Sequence, residues 1–293
     1  MNNRIAESEL IINPDGSIYH LNVRPEQIAE TIIFVGDQNR VPLVSKYFDT
    51  IEHKLAKREF VTHTGTYKGK RMTVISTGIG PDNIDIVINE VDALFNIDFE
   101  TRTKKEKFTK LNIVRIGTSG SLQDEIPVDA FVLAEYGIGF DGVLHYYDSK
   151  HIQETAMQDA FIKHTNWDDF KAKPYIVKYG EELGKQLLGE NIVKGFTGTA
   201  VGFYGPQGRI LRLALETPDL NNKIDSFEFE GKRITNLEME TAAIYGLGKL
   251  LGHNTCSLNC IIANRANGSF STDPYASVEK LIKYTLDKLA EVK

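Results

Sequence analysis

The sequence predicts an α/β fold, a single domain over residues 1–293 in which helices flank a central mixed β-sheet. Short apolar runs rich in β-branched residues alternate along the chain with longer segments of helical periodicity. This alternation is typical of a parallel or mixed sheet that helices cover on both faces. The length of 293 residues lies within the range of one large α/β domain.

Five segments are predicted to form buried strands, because each is short and almost continuously apolar. They are "TIIFVG" 31–36, "RMTVIST" 71–77, "KLNIVRIG" 110–117, "AFVLAEYGIG" 130–139 and "TCSLNCIIAN" 255–264.

Three segments have the periodicity of amphipathic helices. In "NIDIVINEVDALFN" 83–96 the apolar positions are Ile84, Val87, Ile88, Val91, Leu94 and Phe95. The second segment is "SVEKLIKYTLDKLAEVK" 277–293. A third helix begins near the end of "NLEMETAA" 236–243, continues with apolar residues at helical spacing, and reaches a typical stop at Gly252.

Two polar segments interrupt the pattern. Residues 98–110 form a charge run and are interpreted as a solvated extension of a helix–strand connection. Residues 148–172 contain the single tryptophan. Sequence alone leaves three alternatives for this segment: a loop over a site, a subunit contact, or ordinary surface packing.

Composition disfavours several classes of protein. The net charge of −6 argues against a general nucleic-acid binder, because such proteins present basic surfaces. No apolar run approaches the ~18 residues of a membrane span. The N-terminus has no sustained apolar region, so no signal peptide is expected and a cytoplasmic location is predicted.

The two cysteines, Cys256 and Cys260, lie in one predicted strand. At ~3.3 Å per residue they are about 13 Å apart, beyond the reach of a disulfide. The C-x-x-x-C spacing also lacks the further ligands of a zinc site. Both are therefore interpreted as buried small apolar residues in a reducing compartment.

Four strand ends lead into glycine-containing turns, namely "FVGDQNR" 34–40, "STGIGPDN" 76–83, "RIGTSGS" 115–121 and "IIANRANG" 261–268. Ligands of open α/β sheets bind outside the carboxyl ends of the strands. Arg40 and Arg115, with the hydroxyls of Thr118 and Ser119, could bind a phosphate there. For any one loop, an ordinary tight turn is the alternative.

Rival motifs are missing from the chain. It contains no G-x-x-x-x-G-K-[ST], no G-x-G-x-x-G and no H-E-x-x-H, and "GTSGS" lacks the last glycine of a nucleophile elbow. The histidines are scattered, so no metal site is predicted.

Two further stretches carry candidate binding residues. "GFYGPQGR" 202–209 combines Phe203, Gln207 and Arg209, a set suited to a flat heterocycle with carbonyls and an imide N–H. A surface turn is the alternative. Glu238 and Glu240 lie at the start of the third helix, where they could either bind a ligand or complement the helix dipole.

Together these stretches resemble the uridine phosphorylase branch of the nucleoside phosphorylase family. The matching stretches are "SIYHL" 17–21, "VGDQNRV" 35–41, "KREFVTHTGTYKGKRMTVISTGIG" 57–80, "VRIGTSGSL" 114–122, "FDGVLHY" 140–146, "GFYGPQGR" 202–209, "LEMETAA" 237–243 and "ANR" 263–265. Two positions depart from the family pattern. Val35 stands where a proline is usual, and "GTSG" replaces the common "GTTG" but keeps a hydroxyl at Ser119.

The resemblance implies reversible phosphorolysis of uridine to uracil and ribose 1-phosphate in pyrimidine salvage. It implies phosphate binding by Gly36, Arg40, Arg58, Arg115 and Thr118. It implies ribose binding by His20, Thr118, Glu238, Met239 and Glu240. It implies base binding by Ser119, Gly120, Phe203, Gln207, Arg209, Ile262 and Arg265. Among these, the residues implied as catalytic are Arg115, Gln207, Arg209 and Glu240.

The resemblance also bears on partners. Arg58 and His20 resemble residues that act in a neighbouring subunit's site, which implies at least a homodimer, and the family often forms hexamers. No cofactor is implied beyond phosphate as co-substrate, although some relatives hold a monovalent cation near the position of Glu59.

Three alternatives follow from the same residues. Purine phosphorylases and nucleosidases of the superfamily tend to carry an aspartate near Arg265, and an arginine cannot protonate a purine. A non-catalytic nucleoside-binding protein would not need a group of residues that bind phosphate. A dinucleotide oxidoreductase is disfavoured because its fingerprint is missing.

Overall fold

The computed structural model describes residues 4–292, in which helices pack against a large sheet. Within that range the α-helices are α1 (Arg40–Ser45), α2 (Pro81–Asn96), α3 (Thr155–Thr165), α4 (Glu181–Leu187), α5 (Leu220–Asp225), α6 (Thr241–Leu250) and α7 (Pro274–Glu291).

The strands in the first part of the chain are β1 (Thr31–Val35), β2 (Thr50–Lys57), β3 (Phe60–Tyr67), β4 (Lys70–Ser76), β5 (Ile97–Asp98), β6 (Thr103–Lys104) and β7 (Asn112–Ser121). Those in the second part are β8 (Phe131–Gly139), β9 (Tyr175–Lys178), β10 (Ile192–Thr199), β11 (Glu228–Phe229), β12 (Lys232–Arg233), β13 (Asn236–Glu238), β14 (Asn254–Asn264) and β15 (Ser269–Phe270).

Eleven of the described strands form one mixed sheet, in the order β15-β14-β8-β10-β13-β7-β1-β4-β3-β2, with β9 beside β8. A further pairing, β14 with β7, closes β7, β14, β8, β10 and β13 into a ring. Within this ring β7 runs parallel to β14 and antiparallel to β13. The predicted α/β fold with a central mixed sheet is confirmed.

The five predicted strands correspond to β1, β4, β7, β8 and β14, and β1 is buried along its whole length. One prediction was wrong. Residues 117–121 do not form a turn after β7 but are its last part, because β13 pairs with Gly120 and Ser121 and extends the ladder. Strand β14 ends at Asn264, as predicted for 255–264, so within 261–268 the loop begins at Arg265. The turns after β1 and β4 are where the sequence predicts them.

The predicted helices are α2, α6 and α7, although position 293 lies outside the described residues. Helix α2 buries the predicted stripe, with Phe95 only partly buried at its edge. Helix α6 ends as predicted, since Gly252 follows with a φ of 84°, a conformation that glycine adopts without strain.

Segment 148–172 contains helix α3, which packs on a small cluster of aromatic side chains. Phe161 is fully buried, with its ring centroid 5.7 Å from that of Trp167 and 5.1 Å from that of Phe227. The segment is therefore part of a packed layer, and none of its residues, all of which are described, lines the large cavity between the strand ends.

The charge run at 98–110 includes the short hairpin β5–β6, whose residues are exposed or partly exposed, as the prediction of a solvated extension requires. Cys256 and Cys260 are both free and buried, which confirms their interpretation as apolar residues. Burial raises the pKa of the Cys260 thiol to about 12. No helix among residues 4–292 is long and apolar enough to span a membrane.

The packing of α3 can be tested by replacing its central aromatic residue. Phe161→Ala should lower the free energy of unfolding by about 3–5 kcal/mol, because it leaves a cavity among buried rings. Urea denaturation followed by circular dichroism measures the effect, and the control is Lys163→Ala on the exposed face of the same helix. Equal stability of the two variants would contradict this packing.

Candidate active site

The carboxyl ends of several strands meet around a cavity of about 620 Å³. Its walls come from the turns after β1 and β4, the second half of β7, the β13–α6 junction, the end of β14 and the segment 203–209. This is where ligands bind in α/β sheets, as the sequence predicts.

Most of the predicted site residues line this single cavity. They are Gly36, Arg40, Arg115, Thr118, Ser119, Gly120, Phe203, Gln207, Arg209, Glu238, Met239, Glu240 and Ile262. The remaining three, His20, Arg58 and Arg265, do not line it. The structure thus brings together segments that are more than 200 residues apart in the sequence.

At the centre lies Arg115, a guanidinium whose side chain is only 6% exposed. Its Nη1 lies 3.2 Å from Oε2 of Glu238, and its Nη2 lies 2.5 Å from Oε2 of Glu240. Nη1 also donates to Oδ1 of Asn259 at 2.7 Å. Burial opposes the charged form of Arg115, but the two carboxylates more than offset this and raise its pKa.

Glu238 is the anchor of the β13–α6 junction. It accepts hydrogen bonds from Oγ1 of Thr199 at 2.7 Å and from the backbone N–H groups of Glu240 and Thr241 at 2.9–3.1 Å, besides its contact with Arg115. The N–H groups at a helix start have no partner within the helix, so this carboxylate satisfies two of them. The capping alternative therefore describes Glu238, and its role toward ribose stays a prediction.

Glu240 lines the cavity, and each of its two carboxylate oxygens accepts one hydrogen bond from the protein. Oε1 accepts from the backbone N–H of Gly80 at 2.9 Å, and Oε2 pairs with Arg115. Burial raises the pKa of Glu240, an effect that Arg115 opposes. Because each carboxylate oxygen has two lone pairs, both oxygens can still accept a hydroxyl from a ligand.

Arg40, the first residue of α1, supplies a second guanidinium. Its Nη1 donates to the carbonyl of Ile116 at 3.2 Å. Burial lowers the pKa of Arg40, and the nearby positive charge of Arg115 lowers it further. An arginine stays protonated in proteins, so the two guanidiniums form a region that an anion would stabilise.

The segment 203–209 is arranged around Arg209. Its guanidinium carbon lies 3.8 Å from the centroid of the Phe203 ring, and its Nη1 donates to the carbonyl of Phe203 and, at 2.7 Å, to Oε1 of Gln207. Since a guanidinium only donates, this contact fixes the oxygen of the Gln207 amide toward Arg209. Gln207 is 2% exposed, and Nδ2 of Asn221 donates to its backbone carbonyl at 2.9 Å.

Arg265 lies behind this wall, against Gly120 and near Arg209. Burial lowers the pKa of Arg265, and the charge of Arg209 adds to that shift. Its Nη1 is buried without a hydrogen-bond partner among the described residues.

Neither His20 nor Arg58 lines the cavity, although Arg58 directly precedes Glu59, which does. His20 is held by Glu90, whose Oε1 is 2.6 Å from Nδ1 of the ring. Arg58 is exposed at the turn between β2 and β3, with a φ of 55°.

Other lining residues were missed in the sequence. Asn83 and Phe270 line the cavity, and the backbone of Gly80 binds Glu240. Glu59, named in the sequence only for the cation of some relatives, lines it as well. Phe270 lies on β15, a two-residue strand with no pattern to indicate it. Asn259, which holds Arg115, had one signal: it is an amide in the interior of a strand that is predicted to be buried. Within residues 4–292 no group of three or more His, Cys, Asp or Glu side chains could hold a metal ion.

The anchoring role of Glu238 predicts a large effect on stability. Glu238→Ala should lower the free energy of unfolding by about 3–5 kcal/mol, because it removes one partner of a buried ion pair and frees two helix N–H groups. Urea denaturation measures the loss, with Glu182→Ala in the exposed first turn of α4 as the matched control. A Glu238 variant as stable as this control would refute the anchoring role.

The sequence matches the family model described as "Phosphorylase superfamily" over residues 30–291. It is 27% identical over 262 residues to a uridine phosphorylase of Thermococcus kodakarensis, covering 87% of this chain and 80% of the relative. It is 23% identical to a DeoD-type purine nucleoside phosphorylase of Vibrio cholerae, covering 92% of this chain and 96% of that protein.

A solved structure gives a close match in fold. The crystal structure of a Trypanosoma brucei nucleoside phosphorylase that shows uridine phosphorylase activity aligns with a TM-score of 0.88 and 30% sequence identity. The alignment covers 97% of this chain and 100% of that one. With the family model matched along most of its length, this chain belongs to the phosphorylase superfamily.

Proposed function

We propose that the chain is a uridine phosphorylase, which cleaves uridine with inorganic phosphate to give uracil and ribose 1-phosphate. The observation that carries the proposal is that the guanidiniums of Arg40 and Arg115 share one cavity with the amide–guanidinium pair of Gln207 and Arg209. The first pair suits a phosphate and the second suits the polar edge of uracil. A site for both reactants supports phosphorolysis.

Phosphate binds in the proposal at the end with two guanidiniums. Arg40 and Arg115 donate charge-assisted hydrogen bonds to its oxygens, and the Thr118 hydroxyl and the Gly36 backbone add donors. The pKa of Arg40 is lowered by burial and by Arg115. A bound dianion would relieve this repulsion, which favours phosphate over a neutral ligand.

The ribose lies between phosphate and base in the proposal. Glu240 accepts from the 2′- and 3′-hydroxyls while Gly80 and Arg115 hold the carboxylate, and Met239 packs on the sugar. Fixing phosphate against C1′ replaces a bimolecular encounter, an effect worth about 7–11 kcal/mol in favourable cases. No covalent intermediate and no cofactor are needed; the only co-substrate is phosphate.

Departure of the base is assisted by positive charge. As the C–N bond breaks, uracil gains negative charge, and Arg209 and Gln207 stabilise it in the manner of an oxyanion hole. Ser119, Gly120, Phe203 and Ile262 form the walls around the ring. Arg265 stands behind Arg209, and its Nη1 has no hydrogen-bond acceptor within residues 4–292, so its charge adds to the positive potential on this side.

The proposal includes a homodimer at least. Arg58 would reach a neighbour's phosphate and His20 a neighbour's 5′-hydroxyl. That neither side chain lines the cavity of its own chain supports this. A monovalent cation near Glu59 and a cytoplasmic location are further parts of the proposal.

The proposed function predicts a choice of nucleoside. With phosphate present, uridine should be cleaved, and cytidine should have a kcat/KM lower by roughly 10²–10⁴-fold, because its amino group and ring nitrogen each leave a mismatch of ~1–3 kcal/mol. Inosine and adenosine should be poor substrates. Chromatography of the released bases measures this. Comparable kcat/KM values for uridine and cytidine, or a preference for inosine, would contradict the proposal.

A second prediction separates base recognition from phosphate recognition. Gln207→Ala should lower kcat/KM for uridine by about 10- to 100-fold, because a buried hydrogen-bonding edge is lost, whereas the KM for phosphate should change little. Steady-state kinetics with each substrate varied in turn gives both numbers. The control is Gln186→Ala on the exposed side of α4. A rise in the phosphate KM as large as the loss for uridine would argue against a base role for Gln207.

A further inference from the structure

The side chain of Arg115 folds over the backbone of Gly117, two residues further along β7. A Cβ atom at position 117 would lie 1.8 Å from Nη1 of Arg115 and 2.4 Å from its Cζ. These distances leave no room for any side chain while Arg115 keeps this conformation, because a Cβ atom essentially never lies within 3.0 Å of a non-bonded heavy atom. The conformation of Arg115 therefore depends on a glycine at this position.

Directly across from Gly117 lies Asn259, its register partner on β14. Asn259 is fully buried and does not line the cavity, yet its Oδ1 accepts from Nη1 of Arg115 at 2.7 Å. Its Nδ2 donates to Oγ of Ser257 at 3.3 Å, and Ser257 contacts the Thr241 hydroxyl at 2.8 Å. This chain of contacts leads to the first residue of α6, next to Glu240.

The side-chain amide of Asn259 is neutral, which suits its position beside Arg115. Arg115 already faces two carboxylates, Glu238 and Glu240, so a third would place excess negative charge beside the phosphate region. A neutral acceptor directs Nη1 without adding to that charge. An aliphatic residue of similar size would fill the strand but leave a buried N–H without a partner.

We propose that Asn259 is a positioning residue for phosphate recognition: it holds the Arg115 guanidinium over Gly117, in the orientation that meets the anion. Asn259 itself touches no substrate. This inference rests on the proposed function, because it assigns the role of Arg115 to phosphate.

The test compares the affinities of two ligands in one variant. In Asn259→Leu, the dissociation constant for inorganic phosphate should rise at least about 10-fold, the effect of losing a hydrogen bond to a charged group. The dissociation constant for uracil should stay within about twofold, as expected for a site with no shared contact. Isothermal titration calorimetry measures both with the full-length protein.

The matched control is Asn254→Ala. Asn254 lies on the same strand, pairs with the same neighbour β7 and makes a similar cross-strand contact, from its Nδ2 to Oδ1 of Asn112 at 3.0 Å. It is the first residue of β14, five residues before Asn259, and does not line the cavity. Its replacement should change neither affinity.

Two further variants test the same role of Asn259 by different routes. Gly117→Ala leaves Asn259 intact but takes the space of the guanidinium, so it should reproduce the selective loss of phosphate affinity. If Asn259→Leu does not fold, the same two affinities are measured for Asn259→Ser, whose side chain is too short to reach Arg115. Unchanged phosphate affinity, or equal losses for phosphate and uracil, would overturn the inference. Failure of the wild-type protein to bind phosphate or to cleave uridine would instead refute the proposed function.

Discussion

The structure depends on one buried guanidinium. Arg115 lies on β7, a strand of the ring, almost without access to water, and a charge there is tolerated only with partners. Glu238 and Glu240 supply them from a segment of three residues at the β13–α6 junction. The ion triad therefore joins β7 to the start of α6, and the same carboxylates bind the backbone of Thr241 and of Gly80. Since β7 and β13 are also neighbours in the ring, sheet and site constrain each other.

The triad gives the two carboxylates different tasks although they are only two residues apart. Glu238 is saturated by protein donors and acts as an anchor, whereas Glu240 has one protein donor on each oxygen and faces the cavity. The guanidinium between them orients both. A ligand at this centre would thus meet groups that are already fixed by protein contacts, which lowers the cost of organising them on binding.

Much of the fold could be predicted from the sequence because buried strands and amphipathic helices leave clear patterns, as in β1 and α2. The ring could not, since the pairings of β13 with β7 and of β14 with β7 join segments with no local signal for register. Strand β7 was predicted to end at 117 because the small polar residues of "GTSGS" are typical of a turn, yet a partner strand extends it. In the site, side chains with distinctive chemistry such as Arg115 and Gln207 were found. Gly80 and Phe270 were not found, because the role of this backbone N–H and the position of this aromatic ring arise only from the folded geometry.

The central claim of this account is that the cavity holds two reactants, a nucleoside and a phosphate, at opposite ends of one site. Its most direct test is to incubate the pure protein with uridine, with and without inorganic phosphate, and to identify the sugar product. The account predicts uracil and ribose 1-phosphate in equal amounts when phosphate is present, and almost no cleavage without it. Free ribose released at the same rate in the absence of phosphate would contradict it.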